Sequence, residues 1–304
     1  MNISVSVVVP AYNSGTTVAR AIDSALNQRD INLEVIVVND GSTDNTSRVL
    51  ESYGDSIRVI SQNNSGPAAS RNAGIKVAKG EFIAFLDSDD EWLPNKLAVQ
   101  LKLFFRYPKV GLVSSSAECL DTSGNKIVSR PRNLRGSLKN SLIYDNYIVT
   151  SSVVVRKELL LQSDTIFRVD LDVAEDWHLW VRLSAITDII VLPDVLVRYH
   201  VHSDSLMRVA SAQQFTSAYQ KMYSSFLEEP TLHDYVKKNW TKLQSNIKYL
   251  LSYHHFELGR FSRARILMIE AILMEPSNLF RKSTVWILFG IPRLRNYLKK
   301  LVSD

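Results

Sequence analysis

Residues 81–92 read EFIAFLDSDDEW, a largely hydrophobic run that ends in four carboxylates within five positions. The segment 81–86 fits a strand buried on both faces, the kind found in the interior of a parallel sheet. Asp87, Asp89, Asp90 and Glu91 repel one another at neutral pH, so crowding them costs stability unless something positive sits among them. Open α/β sheets bind ligands beyond the carboxyl ends of their strands, which is where these acids fall.

Upstream the same pattern repeats. SVSVVV (4–9) is a short Val-rich strand that Pro10 is expected to end. Val18, Ala21, Ile22, Ala25 and Leu26 recur at helical spacing, giving an amphipathic helix entered through Thr16 or Thr17. LEVIVV (33–38) runs as a second strand into NDGSTDNT, IRVI (57–60) is a third, and a helix follows from about Pro67 to Ala78. Strand and helix alternating with short links predict an α/β protein with a parallel sheet covered on both sides. Three polar segments close its strands: PAYN after the first, NDGSTD after the second and DSDDE after the fourth. Alone, Asp40-Gly41-Ser42 is an ordinary turn and Asp87-Ser88-Asp89 an ordinary solvated loop end. Together, at three strand ends, they should converge on one crevice. A calcium loop of the EF-hand type does not fit, because its glycine and distal Glu are missing at the required offsets.

Beyond Pro108 the pattern is less regular. VGLVSSSAECLDTSGNKIV reads as two strands around a turn at Ser123-Gly124-Asn125, and SSVVVRKE (151–158) as another strand. AEDWHLWVRLSAI is a helix with Trp177, Trp180, Val181, Leu183 and Ile186 at its apolar positions. From about Ser211 the chain is expected to be helical, with a helix, a Gly259 turn and a second helix closed by Pro276. That pair is similar to a tetratricopeptide unit, but one copy is no array, and a generic helical hairpin is the preferred reading.

The bulk numbers bound the class. With 304 residues, 45% hydrophobic and 22% charged, the chain suits an ordinary globular protein of one large or two modest domains. One cysteine, Cys119, excludes an internal disulfide framework and CxxC metal sites, and is expected to be a small buried hydrophobe. The N-terminus lacks the basic and apolar regions of a signal peptide, and VWILFGI (285–291) is far shorter than the roughly 20 residues of a spanning helix. A cytoplasmic protein is expected, peripheral at the inner face of the plasma membrane if its tail binds lipid. The formal charge of +5 resides in residues 281–304, where six Lys/Arg face one acid, Asp304. In RLRNYLKKL the positions Leu294, Tyr297, Leu298 and Leu301 share a helical face opposite lysines, which suits an anionic membrane surface as well as a solvated basic helix. No nucleic acid is expected as a partner, since the rest of the chain is charge-neutral and carries no reading motif.

VSVVVPAYNS, VIVVNDGSTDNT, NNSGPAASRNAGIKVAKGEFIAFLDSDDEW and AEDWHLWVRL together resemble the family 2 glycosyltransferases of the GT-A fold, over about residues 3 to 205. The resemblance implies a GT-A domain over 1–206, with a nucleotide-sugar-binding half (1–108) and an acceptor half (109–206), followed by a helical C-terminal region (207–304). It implies an inverting transfer from a nucleotide-diphosphate donor, a UDP-sugar foremost, to a saccharide or lipid-linked saccharide in cell-surface polysaccharide synthesis. It makes Asp89 the principal ligand of a Mn2+ or Mg2+ ion, with Asp87 near the ribose and also able to reach the metal. Such an ion neutralises the departing diphosphate, and one or two carboxylates suffice to hold it. By the same resemblance Asp40 accepts the uracil ring N–H, an N–H that thymine shares. Tyr12 stacks on the base, Pro10, Ala11 and Asn13 shape the pocket with Ser88 nearby, and Arg71 approaches the nucleotide. The base that deprotonates the acceptor is Asp176, with Glu175 second. In LVRYHVHSDSL, His202 matches a position close to the metal, while His200 stands where the family usually has Arg, leaving open which imidazole reaches the site. Asp90 and Glu91 are expected to cap the helix starting near Pro94. A noncatalytic binder or scaffold of the same fold is the rival reading, and a nucleotidyltransferase is disfavoured for want of a Gly-rich phosphate loop.

Overall fold

Ten strands form one mixed sheet: β1 (Ser4–Ala11), β2 (Asn32–Asn39), β3 (Arg58–Ser61), β4 (Phe82–Phe85), β5 (Glu91–Trp92), β6 (Val110–Leu120), β7 (Lys126–Ser129), β8 (Leu134–Gly136), β9 (Val154–Arg156) and β10 (Asp188–His200). Their order is β3-β2-β1-β4-β9-β6-β10-β5, with β7 beside β6 and β8 beside β10. The computed structural model describes residues 4–29, 31–121, 123–129, 132–161, 166–201 and 210–289. The chain separates into two compact units, Met1–Asp170 with Glu175–Ser205, and Leu171–Ala174 with Leu206–Asp304.

The first half of the sheet follows the expected grammar. β1 pairs in parallel with β2 and β4, and β2 with β3. Val5, Val7 and Val9 pack with Val18 and Ile22 of α1 (Val18–Leu26), while Val8 faces the opposite side. There it meets Gly74 of α3 (Gly66–Val77), the helix after a short α2 (Thr46–Glu51). Both faces of β1 are therefore covered, which is why its valines need no polar alternation. Full burial of each such side chain contributes about 1.5–3 kcal/mol. The strand does not end at Pro10 but runs to Ala11, opposite Asn39. Its pairing with β4 has already stopped at Val8, so the proline's missing N–H leaves no unanswered partner on that side.

Beyond β4 the sheet changes direction. β9 lies antiparallel between β4 and β6, and β6 runs parallel to β10. The turn at 123–125 joins β6 to the antiparallel β7, with the Asp121 carboxylate accepting from the amides of Ser123 and Asn125. Residues 151–158 are not one strand: Thr150–Ser152 form a 3₁₀ turn, Val154–Arg156 form β9, and Lys157–Leu161 form the short helix α6. α4 (Lys96–Arg106) precedes β6, and α5 (Lys139–Leu142) lies ahead of that turn. α7 (Glu175–Ile186) buries Trp177, Trp180, Val181 and Leu183, whereas Ile186 at its end is exposed, as is Leu26 at the end of α1. Cys119 is only partly buried, not enclosed in the core as its residue type suggested.

The second unit is helical where described: α8 (Ala212–Ser225), α9 (His233–Lys238), α10 (Trp240–Glu257), α11 (Phe261–Met274) and α12 (Lys282–Phe289). Ser211 and Gln214 close a reciprocal capping box on α8. Gly259 takes a left-handed φ of 72° between α10 and α11, and Phe256, Ala264, Met268 and Ile287 form a small core. No helix among the described residues is long and apolar enough to cross a membrane. Leu294, Tyr297, Leu298 and Leu301 lie outside the described residues.

A Cβ at Gly74 would stand 2.5 Å from Val8 Cγ1. Gly74→Val is therefore expected to destabilise the first unit by about 1–3 kcal/mol through overpacking, read as a lower urea midpoint at unchanged slope. An unchanged midpoint would show that α3 does not press on β1 as described.

Candidate active site

Because β2, β1 and β4 are adjacent and parallel, the segments that leave their carboxyl ends meet at one edge of the sheet. Gly41 adopts φ 73°, and a Cβ there would lie 2.8 Å from the Asn64 amide nitrogen, so this turn requires glycine. The Asn13 amide donates to Ser42 Oγ (3.0 Å) and its Oδ1 accepts from the Thr43 amide (2.8 Å). Asn13 itself is left-handed (φ 48°), which Asn tolerates better than most residues. Ser14 Oγ and Ser88 Oγ lie 2.8 Å apart, linking PAYN to the acid loop. Tyr12 is 48% exposed beside Pro10 and the buried Ala11.

Asp40 is only 3% exposed and is engaged within the chain. Its Oδ1 accepts from Gln62 Nε2 (2.7 Å) and the Ser65 amide (2.9 Å), and its Oδ2 from the Gly66 amide (2.8 Å). A carboxylate offers about four acceptor positions, so one remains, on Oδ2.

The positive group that the acid loop demands is Arg71. Its guanidinium, 6% exposed, donates through Nη2 to Asp87 Oδ1 and through Nη1 to Glu175 Oε1, both at 2.7 Å. Burial alone would push its pKa down, but the two carboxylates drive it up, so it stays charged. The same bridge, between Arg71 and a Glu175 104 residues away, brings the 87–89 loop and the Glu175-Asp176 pair together. Asp176 accepts from Thr150 Oγ1 (2.8 Å) and from Asn146 Nδ2 (3.4 Å). Desolvation raises its pKa above the usual carboxylate range, with Thr150, Arg71 and the Trp177 amide pulling the other way. Desolvation and Asp176 likewise raise Glu175, against Arg71. Ala174, immediately before the pair, holds a left-handed φ of 64°, a strained conformation for a residue with a Cβ.

A family model described as glycosyl transferase family 2 matches residues 6–158. The uncharacterised glycosyltransferase RP339 of Rickettsia prowazekii is 30% identical over 243 residues, 76% of this chain and 74% of that protein. The chain belongs to glycosyltransferase family 2. The Escherichia coli UDP-Glc:alpha-D-GlcNAc-diphosphoundecaprenol beta-1,3-glucosyltransferase WfaP is 40% identical over 111 residues, 34% of this chain and 44% of that one. Among solved structures, TarS 1–349 of S. aureus in complex with UDP-GlcNAc has a TM-score of 0.63 at 21% identity, covering 90% of this chain and 81% of that one. The fold is GT-A, and the protein is a glycosyltransferase.

Not every expected residue takes its expected place in this glycosyltransferase. Asp90 and Glu91 do not cap α4, which begins at Lys96 after Asn95. β5 pairs antiparallel with β10 and draws both residues away from the helix end. Asp90 is fully buried, its Oδ2 accepting from Ser151 Oγ (2.5 Å) and its Oδ1 from the His200 amide (3.2 Å). Desolvation, then the charges of Asp89 and Asp87, raise its pKa well above the ordinary value. Glu91 pairs with Arg198 at 3.0 Å. His200 ends β10, and His202 lies outside the described residues. Arg20, whose Nη2 donates to the Asp89 carbonyl at 2.6 Å, is a support that helical spacing could not single out.

Among the described residues no group of three or more His, Cys, Asp or Glu forms a ready cation site. Two carboxylates of the acid loop are the donor set that Mg2+ or Mn2+ accepts when phosphate oxygens and water complete the shell, so Asp89 and Asp87 fit such an ion.

Arg71→Met would leave Asp87 and Glu175 without their shared counter-charge. It is expected to cost about 3–5 kcal/mol in a thermal or urea melt, and Arg71→Lys less. Wild-type stability in the Met variant would remove Arg71 from the centre of the site.

Proposed function

We propose that this enzyme transfers a sugar, with inversion, from a UDP-sugar to a saccharide or lipid-linked saccharide in cell-surface polysaccharide synthesis. The observation that carries the reading is the Arg71 bridge, which puts the acid loop and the Glu175-Asp176 pair in one charge cluster. TarS, crystallised with UDP-GlcNAc, and WfaP, named for UDP-Glc and a lipid diphosphate acceptor, support the donor and acceptor classes.

In this reading the exposed Tyr12 ring stacks on the base, Asp40 offers its remaining acceptor position to the uracil N–H, and Pro10, Ala11, Asn13 and Ser88 shape the pocket. Asp89 and Asp87 would hold Mn2+ or Mg2+, which when bound would offset the charge that builds on the leaving diphosphate. Asp176 takes the proton of the acceptor hydroxyl as that oxygen bonds to the anomeric carbon, and the bond to the diphosphate breaks with its electron pair on the diphosphate oxygen. One displacement suffices, and no sugar is held covalently. Glu175 is the weaker base, because Arg71 occupies its carboxylate. Segment 281–304 docks on an anionic membrane at the cytoplasmic face, near a lipid-linked acceptor.

Calorimetric titration of UDP is expected to show binding with Mn2+ that EDTA or Asp89→Asn abolishes. No binding by the wild type with metal would sink the donor assignment. Asp176→Asn should keep UDP binding and lose about 10²–10⁴ in turnover with an accepted donor and acceptor pair. Since the base acts ionised and burial raises its pKa, turnover should be full above that raised value and fall as pH drops through it. An acid limb in the ordinary carboxylate range, about pH 4, would argue against Asp176.

A further inference from the structure

The 3₁₀ turn Thr150–Ser152 supplies neither a metal ligand nor a base, yet all three residues are buried and each serves a different part of the site. Thr150 Oγ1 donates to Asp176 Oδ2 at 2.8 Å. Ser151 Oγ donates to Asp90 Oδ2 and accepts from the Asp87 amide (3.1 Å), so one hydroxyl holds the acid loop at two points. The Ser151 carbonyl also accepts from Trp92 Nε1 at 2.6 Å. Ser152 turns to the core: its Oγ lies 2.6 Å from Ser114 Oγ, and its carbonyl accepts from Gln100 Nε2 at 2.8 Å.

Backbone geometry explains this division. A strand would put residues 150 and 152 on one face and 151 on the other, so one of the three targets would be out of reach. A 3₁₀ turn has three residues per turn and sends successive side chains about 120° apart. Placement comes from the antiparallel β9: it begins where β4 ends, with the Phe85 amide donating to the Val153 carbonyl at 3.2 Å. The residues just before β9 must therefore lie beside those just after β4, which are Leu86 and Asp87.

We infer that Thr150-Ser151-Ser152 is the spacer that sets the distance between the carboxylate that activates the acceptor and the loop that receives the donor diphosphate, with Thr150 and Ser151 as positioning residues. The inference rests on the reading of Asp176 as base and of Asp87 and Asp89 as the donor side. Thr150 keeps the Asp176 carboxylate in one rotamer and favours its ionised form. Ser151 keeps the main chain of the acid loop from shifting when the charge on Asp87 and Asp89 is shared with a ligand. A misplacement of about 1 Å at such a point can cost about a hundredfold in rate.

The test uses the full chain and an accepted donor and acceptor pair. Thr150→Val, nearly isosteric but without the hydroxyl, should bind UDP with Mn2+ within about twofold of wild type while kcat falls about ten- to a hundredfold. Its acid limb should move to higher pH, since the other charged groups facing Asp176, namely Arg71, Glu175 and Asp87, are unchanged. Thr150→Ser should restore kcat, and Thr150→Val added to Asp176→Asn should cause no further loss. Ser151→Ala should instead weaken UDP binding in the presence of Mn2+ about five- to tenfold without moving the acid limb. A kcat within twofold of wild type for Thr150→Val, or equal losses for Val and Ser, overturns the role of Thr150. Unchanged UDP affinity overturns that of Ser151. If Thr150→Val fails to fold, Thr150→Ala is read by the same criteria. Normal turnover by Asp176→Asn would instead refute the base assignment itself, whereas an inactive Asp176→Asn beside an active Thr150→Val refutes only the spacer.

Discussion

A buried guanidinium held between two carboxylates governs the rest of the site. Removing Arg71 from water is costly, and two charge-assisted hydrogen bonds at 2.7 Å offset that cost only because Asp87 and Glu175 are fixed on either side of it. The ion pairs thus demand that two separately built parts of the domain, the loop after β4 and the start of α7, keep their places together. Arg71 neutralises no more than one of the carboxylates around it. Asp87, Asp89, Glu175 and Asp176 keep a surplus of negative charge, and Asp90, whose pKa is raised first by its burial, is raised further by Asp89 and Asp87. An anionic diphosphate approaching such a surface is repelled unless a cation screens it. For the donor proposed above, that repulsion is the physical reason a divalent ion would be needed.

The sheet makes this assembly possible by setting an antiparallel strand directly beside its parallel half. Up to β4 it is parallel, and every loop leaving it emerges at the same edge. The antiparallel β9 starts at that edge and runs away from it, so the hydroxyl-rich turn 150–152 just before it lies against the acid loop. A purely parallel sheet would have placed another crossover there, with its own polar loop but without a tight turn pointing in three directions.

Much of the donor half was legible in the sequence because its signals are local. Buried parallel strands read as Val-rich runs, and in a parallel sheet the loops leaving adjacent strands are neighbours by topology. Arg71 is the instructive exception in that half. Its type and place in SRNAG suggested proximity to the ligand, but its engagement with Glu175 depends on a contact 104 residues away, which no periodicity encodes. Asp90 and Glu91 misled for a related reason. Beside a coming helix, acids look like caps, and only the pairing of β5 with β10 shows that one is buried and the other paired to Arg198. Thr150, Ser151 and Ser152 carry no sequence signal at all. Followed by VVV, Ser151 and Ser152 read as the start of a strand, and the competing preference of Ser and Thr hydroxyls for nearby backbone and side-chain partners decides otherwise.

The acceptor side shows where such reading stops. Residues 121–150 hold two short strands, one four-residue helix and long irregular connections. Their order comes from individual contacts: Arg132 lies 4.5 Å over the Tyr147 ring and 3.4 Å from Asp145, while Tyr147 Oη lies 2.7 Å from Ser141 Oγ. β7 and β8 are held by β6 and β10, and Asn146 and Thr150 are held by Asp176, so only the connections between those points can change their side chains and length without disturbing β4, β9 or α7. The donor machinery stands on the ladder and the Arg71 bridge, and cannot vary in that way. On the function proposed above, a family that applies one chemistry to many saccharides has a physical reason to keep its variation on such connections and transfer on the sheet.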